Sequence, residues 1–345
     1  MRIPARLALA STIGLVALAA PLHAQTGEVA YVSNEDGRSL TVIDVATDRA
    51  IGTIEVGQRP RGVHVANKGR LVFVALSGSP RCPPTMPDAE CAALKNDRSQ
   101  DGIAVVDAAT RTVKRVLPGG TDPEQFGISA NGARLYASNE DAGTVTVVDV
   151  SSGRIVRTIK VGAEPEGVRL SPDGRTVYVT SESASSVTGF DAATGRIVSR
   201  ATVGARPRDV AVMPDGRHYY ASSEMGGTVS LVNARTGAVQ KTITLFKGAK
   251  PMGLALAPGG ATLYVSTGRG GTVEVLDTKT NAMVASIKVG QRPWGLALTA
   301  DGTKLYVANG PGNDVSVIDT RSRAVVATVP AGSLPWGVSI GPAPR

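Results

Sequence analysis

Seven prolines recur along the chain, and the residues that follow them are Arg61, Glu124, Glu166, Arg208, Met252, Trp294 and Trp336. Positions that served the fold alone would carry one residue type. Two guanidiniums, two carboxylates, a thioether and two indoles instead make the donor, acceptor and stacking set of a ligand or peptide site. Arg59, Arg206 and Arg292 stand just before three of these prolines and add donors. The same residues admit a structural reading, in which Arg–Glu pairs tie neighbouring units together and the tryptophans cap an opening.

The elements that must position these residues follow from the spacing. A Gly-x-x-Pro signature ends at Pro60, Pro123, Pro165, Pro207, Pro251, Pro293 and Pro335, at intervals of 63, 42, 42, 44, 42 and 42. A second series closes an apolar run at Asp44, Asp107, Asp149, Asp191, Asn233, Asp277 and Asp319. Both series count seven units of about 42 residues, a repeat length that marks a propeller or solenoid. The long interval is one repeat plus 21 residues (63 − 42), inserted between Pro60 and Asp107.

Within a unit, four short β-rich runs alternate with turns. In the unit starting at Pro165, Gly167–Leu170 leads into the turn Ser171-Pro172-Asp173-Gly174, and Thr176–Thr180 alternates strictly. Val187–Phe190, a turn at Asp191–Gly195, and Ile197–Val203 complete the set. Four strands joined by hairpin-length turns, seven times over and without helical periodicity, predict an all-β, seven-bladed propeller. Three N-terminal strands (near Val29–Ser33, Leu40–Asp44 and Ala50–Val56) and one C-terminal strand (Trp336–Ile340) share a blade and close the ring. Closure removes exposed edges.

Strand parity then sorts the loops. The proline loops and the loops between second and third strands emerge on one face, which also collects Glu35, Glu140, Glu182 and Glu224. The insertion, residues 78–99, rises from that face. It holds Cys82 and Cys91 among prolines, and in an exported protein these cysteines are expected to form a disulfide that staples a lid or partner-contact loop. On the innermost strands, His64, Gln125, Arg169 and Asp209 break a Gly/Ala pattern set by crowding at the axis and are candidates to line the channel. A lone histidine there is more often hydrogen-bonded structure than a ligand.

The strings LYASNEDAGTVTVVDVSSGRIVRTIKVG (Leu135–Gly162) and LYVANGPGNDVSVIDTRSRAVVATVPAG (Leu305–Gly332) resemble YVTN-family repeats over essentially the whole mature chain. DPEQF at Asp122–Phe126, EPEG at Glu164–Gly167 and RPWG at Arg292–Gly295 resemble periplasmic YncE-like propellers, nearest the group associated with PQQ-dependent alcohol catabolism. The resemblance implies a periplasmic propeller and a partner in a quinoprotein alcohol-oxidation system. It brings no catalytic residues with it.

Composition narrows the classes. Arg2 and Arg6 followed by the apolar run Leu7–Ala20 read as a Sec-type signal ending near Ala24, leaving residues 25–345 as one propeller domain in the periplasm. The chain carries 37 Lys and Arg against 29 Asp and Glu; without Arg2 and Arg6 the balance is 35 − 29, or +6. That surplus is too small and too dispersed for a nucleic-acid binder. Three histidines and two cysteines exclude zinc-ribbon and iron–sulfur proteins.

There is no Cys-x-x-Cys-His, His-Glu-x-x-His or phosphate loop, and no Gly-x-Ser-x-Gly nucleophile elbow is expected. Few aromatics and two separated cysteines do not suit a PQQ dehydrogenase. The primary expectation is a monomeric, non-catalytic binding or scaffold propeller without cofactor, holding a periplasmic protein or small ligand on its proline-loop face. The alternative is a metal-dependent hydrolase or lactonase at the channel mouth, with Ca²⁺ on the acidic residues.

Overall fold

A computed structural model describes residues 27–81 and 86–344. The expected leader, residues 1–24, lies outside them. The chain forms seven four-stranded antiparallel sheets arranged as a propeller, as the repeat predicts. The first blade combines Pro335–Pro342 with Glu28–Asn34, Ser39–Asp44 and Arg49–Glu55, with Val29 opposite Gly341 and Ala30 opposite Ile340. Blades two to seven then follow in chain order, their innermost strands being Val63–Ala66, Pro123–Ile128, Pro165–Leu170, Pro207–Val212, Leu254–Leu256 and Pro293–Leu298.

Burial follows strand position within each blade. The second strand Thr176–Ser181 is buried on both faces, because neighbouring blades cover both sides of it. The outermost strand Arg154–Lys160 buries little except Ile159 and consists of basic and β-branched residues. The apolar cores therefore lie between blades. Tyr31, Leu40 and Val42 of the first blade pack with Val72, Val74 and Ala104 of the second. Each Leu or Val among them contributes about 1.5–3 kcal/mol when fully buried.

The turns behave as their residue types require. The Asp side chain ending the third strand accepts a backbone N–H three residues on, at 2.8 Å for Asp149–Ser152 and 2.7 Å for Asp191–Thr194. These aspartates are Asx-turn residues and belong to the scaffold. Near the axis the blades approach closely. A Cβ on Gly167 would lie 2.4 Å from the Arg208 carbonyl oxygen, and one on Gly295 would lie 2.6 Å from that of Trp336. Glycine is the residue that lets these inner strands meet.

The insertion joins the second and third strands of the second blade, as expected. It contains a short helix, Asp88–Ala93, that strand-oriented reading did not anticipate. The expected Cys82–Cys91 pairing involves Cys82, which lies outside the described residues. No helix among the described residues is long and apolar enough to cross a membrane.

Candidate functional site

The side chains at the axial opening are aimed by an unusual backbone. Arg59, Asp122, Glu164, Arg206, Arg292 and Leu334, each just before an anchor proline, adopt left-handed φ between 42° and 57°. Such a conformation costs a non-glycine residue on the order of 1–3 kcal/mol and persists only where the surroundings hold it. Here the following proline fixes the next φ. The bend turns Arg59, Asp122, Arg206 and Arg292 into a cavity of about 600 Å³ at the mouth of the channel.

The second device is a hydroxyl on the second strand of a blade, which fixes the ring residue of the next. Ser138 Oγ donates to the Glu166 carbonyl at 2.7 Å, Ser222 Oγ to that of Met252 at 2.5 Å and Ser266 Oγ to that of Trp294 at 2.5 Å. Ser33 does the same for Arg61. Sequence reading passed over these hydroxyls. Their signal was a Ser recurring 28 residues ahead of the ring residue in three of these bonds.

Six of the seven ring residues meet at the mouth: Arg61, Glu124, Glu166, Arg208, Trp294 and Trp336 all line the cavity. Met252 is buried and faces the chamber beneath. The charged members form two networks across blade boundaries. Arg61 is paired with Asp122 and Glu124, and its Nη1 lies 3.9 Å from Glu140. Arg208 contacts Glu166 and Glu224 at 2.6 Å each and is also paired with Glu182. Arg206 pairs with Glu182, and Arg59 with Glu35 at 2.7 Å. The blade-linking reading and the cavity reading therefore describe the same residues.

These networks hold more carboxylate than guanidinium, and the proton affinities record it. Burial pushes the Glu166 carboxyl up to about 8, with Arg208 opposing and Glu182 adding to the rise. Burial likewise raises Glu140 to about 7 against the pull of Arg61, and its side chain keeps 30% exposure to the cavity. Asp122 goes the other way. Burial is outweighed by Arg61 and the hydroxyls of Ser77 and Ser79, which hold it at about 2. The mouth thus presents a neutral acid beside a carboxyl that titrates near neutrality.

Asp122, Glu124 and Glu140 bring carboxylate oxygens within 4.8 Å of one another, the only described cluster spaced for a metal. Arg61 already bonds Asp122 and Glu124 from the centre of that set. A guanidinium stands where a divalent cation would, so the donor set does not fit the Ca²⁺ considered from sequence.

Below the mouth, a chamber of about 250 Å³ is lined by His64, Gln125, Arg169 and Asp209, as the broken Gly/Ala pattern suggested. Arg169 pairs with Asp209 at 3.0 Å, and Asp209 also accepts from the N–H groups of Val210 and Leu254. His64 stacks edge-on to Phe126 at 5.0 Å; burial, helped by the charge of Arg169, lowers its pKa to about 3. It is a neutral packing residue.

Gly337-Val338-Ser339-Ile340-Gly341, which sequence reading overlooked, has the spacing of a nucleophile elbow. Ser339 lies instead mid-strand, and its Oγ accepts from Val65 N–H at 3.0 Å. The strand-to-helix turn that would expose a nucleophile is missing.

At the rim, Pro80, Arg81, Leu94 and Asn96 of the insertion reach the mouth cavity. On the seventh and first blades the Trp294 and Trp336 rings meet edge to face at 5.4 Å, and the Arg292 guanidinium lies 4.8 Å from the Trp294 ring centre. The opening therefore has a carboxyl-rich side and an indole side.

Residues 157–244 match the family model described as Lactonase, 7-bladed beta-propeller. That stretch resembles the lactonase propellers. It contains Glu166, Glu182, Arg206, Arg208 and Glu224, one of the two charge networks. No curated protein matches the chain. Among solved structures, hydrazine synthase of Kuenenia stuttgartiensis superposes with a TM-score of 0.72 at 23% identity, covering 84% of this chain and 92% of that one. A proposed 6-phosphogluconolactonase of Bacteroides fragilis gives 0.74 at 17% identity, covering 93% and 99%. Its counterpart from Bacteroides uniformis gives 0.72 at 15%, covering 92% and 100%. At these identities the likeness is one of fold.

Proposed function

We propose that this propeller hydrolyses a small cyclic ester at the axial mouth, in the manner of a lactonase and without a resident metal. The observation that carries the reading is Glu140, a partly exposed carboxyl at about 7 facing the same cavity as Glu166, a carboxyl at about 8. Two carboxyls that burial raises towards neutrality in one cavity can serve as base and acid at neutral pH. The lactonase-type match over residues 157–244 supports the same class.

The chemistry balances with these two groups. Glu140 as carboxylate takes a proton from water while the water oxygen bonds to the ester carbonyl carbon. The ring C–O bond then breaks, and Glu166 as the neutral acid gives its proton to the departing alkoxide. The product is a hydroxy acid. The Arg61 and Arg208 guanidiniums, fixed by their carboxylates, supply positive potential as negative charge grows on the carbonyl oxygen. Trp294 and Trp336 offer an apolar wall for the ring carbons.

The finer placement belongs to the same proposal. It is an exported, YVTN-like propeller whose insertion rim serves a periplasmic protein partner, by resemblance within PQQ-linked alcohol oxidation. The deciding experiment is a pH-stat assay against γ- and δ-lactones with the purified protein, beside Glu140→Gln and Glu166→Gln. Turnover reduced about 100-fold or more in each variant supports the proposal. Binding without turnover in the parent protein returns the chain to the non-catalytic class.

A further inference from the structure

Arg292 differs from every other guanidinium at the mouth. Arg59, Arg61, Arg206 and Arg208 each have a carboxylate within ion-pair distance, whereas Arg292 has none among the described residues. It is nonetheless partly buried, with one face covered by Trp294. A partly desolvated cation without a counter-ion is costly, and stacking on an indole recovers only part of that cost. Its burial and the charges of Arg269 and Arg208 all disfavour the protonated form, although Glu224 opposes them. The indole beneath it adds a second unused donor, because Trp294 Nε1 is buried and has no acceptor.

The position is also a boundary. Arg292 and Pro311 line both the mouth and a shallow neighbouring groove of about 580 Å³ between the sixth and seventh blades. That groove contains Arg269 and Lys288 and no acidic residue. A ligand seated in the mouth can therefore direct one end over Trp294 towards a region of uncompensated positive charge.

We infer that the ligand of the mouth carries a carboxylate, received by the open edge of Arg292 over Trp294, with Arg269 and Lys288 supplying the surrounding field. The inference deepens the lactone reading and rests on it for the identity of the ligand's other end. A carboxylate fits better than a phosphate dianion for two reasons. One face of the guanidinium is occupied, leaving a planar edge suited to a bidentate carboxylate. Glu224 and Glu35 stand close enough to act on Arg292, and each would repel a second negative charge.

The chain has two tryptophans, Trp294 and Trp336, and both line the mouth, so intrinsic fluorescence reads this site directly. The probes are gluconate, glucose 6-phosphate, inorganic phosphate and uncharged glucose, titrated into the full-length mature protein at low salt. A saturable gluconate response about ten-fold or more tighter than for either phosphate is expected, with glucose silent. Arg292→Ala should weaken gluconate about ten-fold or more. Arg292→Lys, which keeps the charge and loses the fork, should fall between.

Equal or tighter binding of the phosphates, no saturable gluconate response, or a response unchanged in Arg292→Ala overturns the inference. Thermal melts establish that both variants fold; should the alanine variant fail to, the lysine variant decides alone. Arg292-dependent gluconate binding in a protein that turns over no lactone removes the hydrolase reading and leaves the anion subsite. Turnover of neutral lactones unchanged in Arg292→Ala, without gluconate binding, does the reverse.

Discussion

Nη1 of Arg208 lies 2.6 Å from Oε2 of Glu166, across the boundary between the fifth and fourth blades. The same guanidinium serves Glu182 and Glu224, so one cation in a nearly closed environment answers three carboxyls. The bond is part of the blade interface and part of the cavity wall at once.

Removing Arg208 should therefore be expensive. Arg208→Met leaves Glu166, Glu182 and Glu224 without their shared cation, and loss of one partner from a buried network costs about 3–5 kcal/mol. Urea denaturation at pH 7 checks this through the shift in midpoint at unchanged slope. Adding Glu224→Gln to Arg208→Met should recover part of the loss, because Glu224, whose carboxyl Arg208 and Arg206 hold below its ordinary value against burial, is then neutral.

Acidity at the mouth should be visible in both stability and rate. Glu140 and Glu166 hold protons more tightly folded than unfolded, where glutamate titrates at about 4.3. Their contribution is complete below that value and is lost as pH rises through about 7 and about 8. Asp122, held at about 2, contributes in the opposite sense, and its share is lost only as pH falls below about 4. The stability of the parent protein relative to Glu166→Gln should thus decline between about pH 5 and 8, measured by melts across that range. If the two carboxyls act as base and acid, kcat/KM should follow a narrow bell with limbs near 7 and 8.

Divalent cations should leave the parent protein unmoved, since Arg61 already occupies the centre of the Asp122, Glu124 and Glu140 cluster. A melt with EDTA, then with Ca²⁺, Mg²⁺ or Zn²⁺, should show no saturable shift. Arg61→Ala should be destabilised in EDTA and regain stability with a cation, by about 2.7 kcal/mol at 100 times the dissociation constant. A cation-dependent shift in the parent protein would mean that Arg61 leaves the cluster.

The ring should depend on its last strand. Pro335–Pro342 supplies the innermost strand of the first blade and carries Trp336 into the mouth. A chain ending before Pro335 should lose cooperative thermal unfolding and bind a dye for exposed apolar surface, because Glu28–Asn34 becomes an unpaired edge. Supplying the missing strand as a peptide should restore part of the transition.

Much of this was legible in the residues alone. The 42-residue spacing and the period-two alternation define seven four-stranded blades, because backbone hydrogen bonding and burial between blades act locally and identically in every unit. The same periodicity brings Arg61, Glu124, Glu166, Arg208, Trp294 and Trp336 to one opening, and the break in the Gly/Ala pattern at His64, Gln125, Arg169 and Asp209 marks the chamber. What repetition could not reveal is which unlike side chains meet. That Arg61 fills the acidic cluster, that Ser339 is tied into a strand, and that Arg292, among the described guanidiniums of the mouth, lacks a carboxylate are outcomes of how the blades meet. They join residues far apart in sequence, and only the closed geometry determines which charges are neutralised and which remain for a ligand.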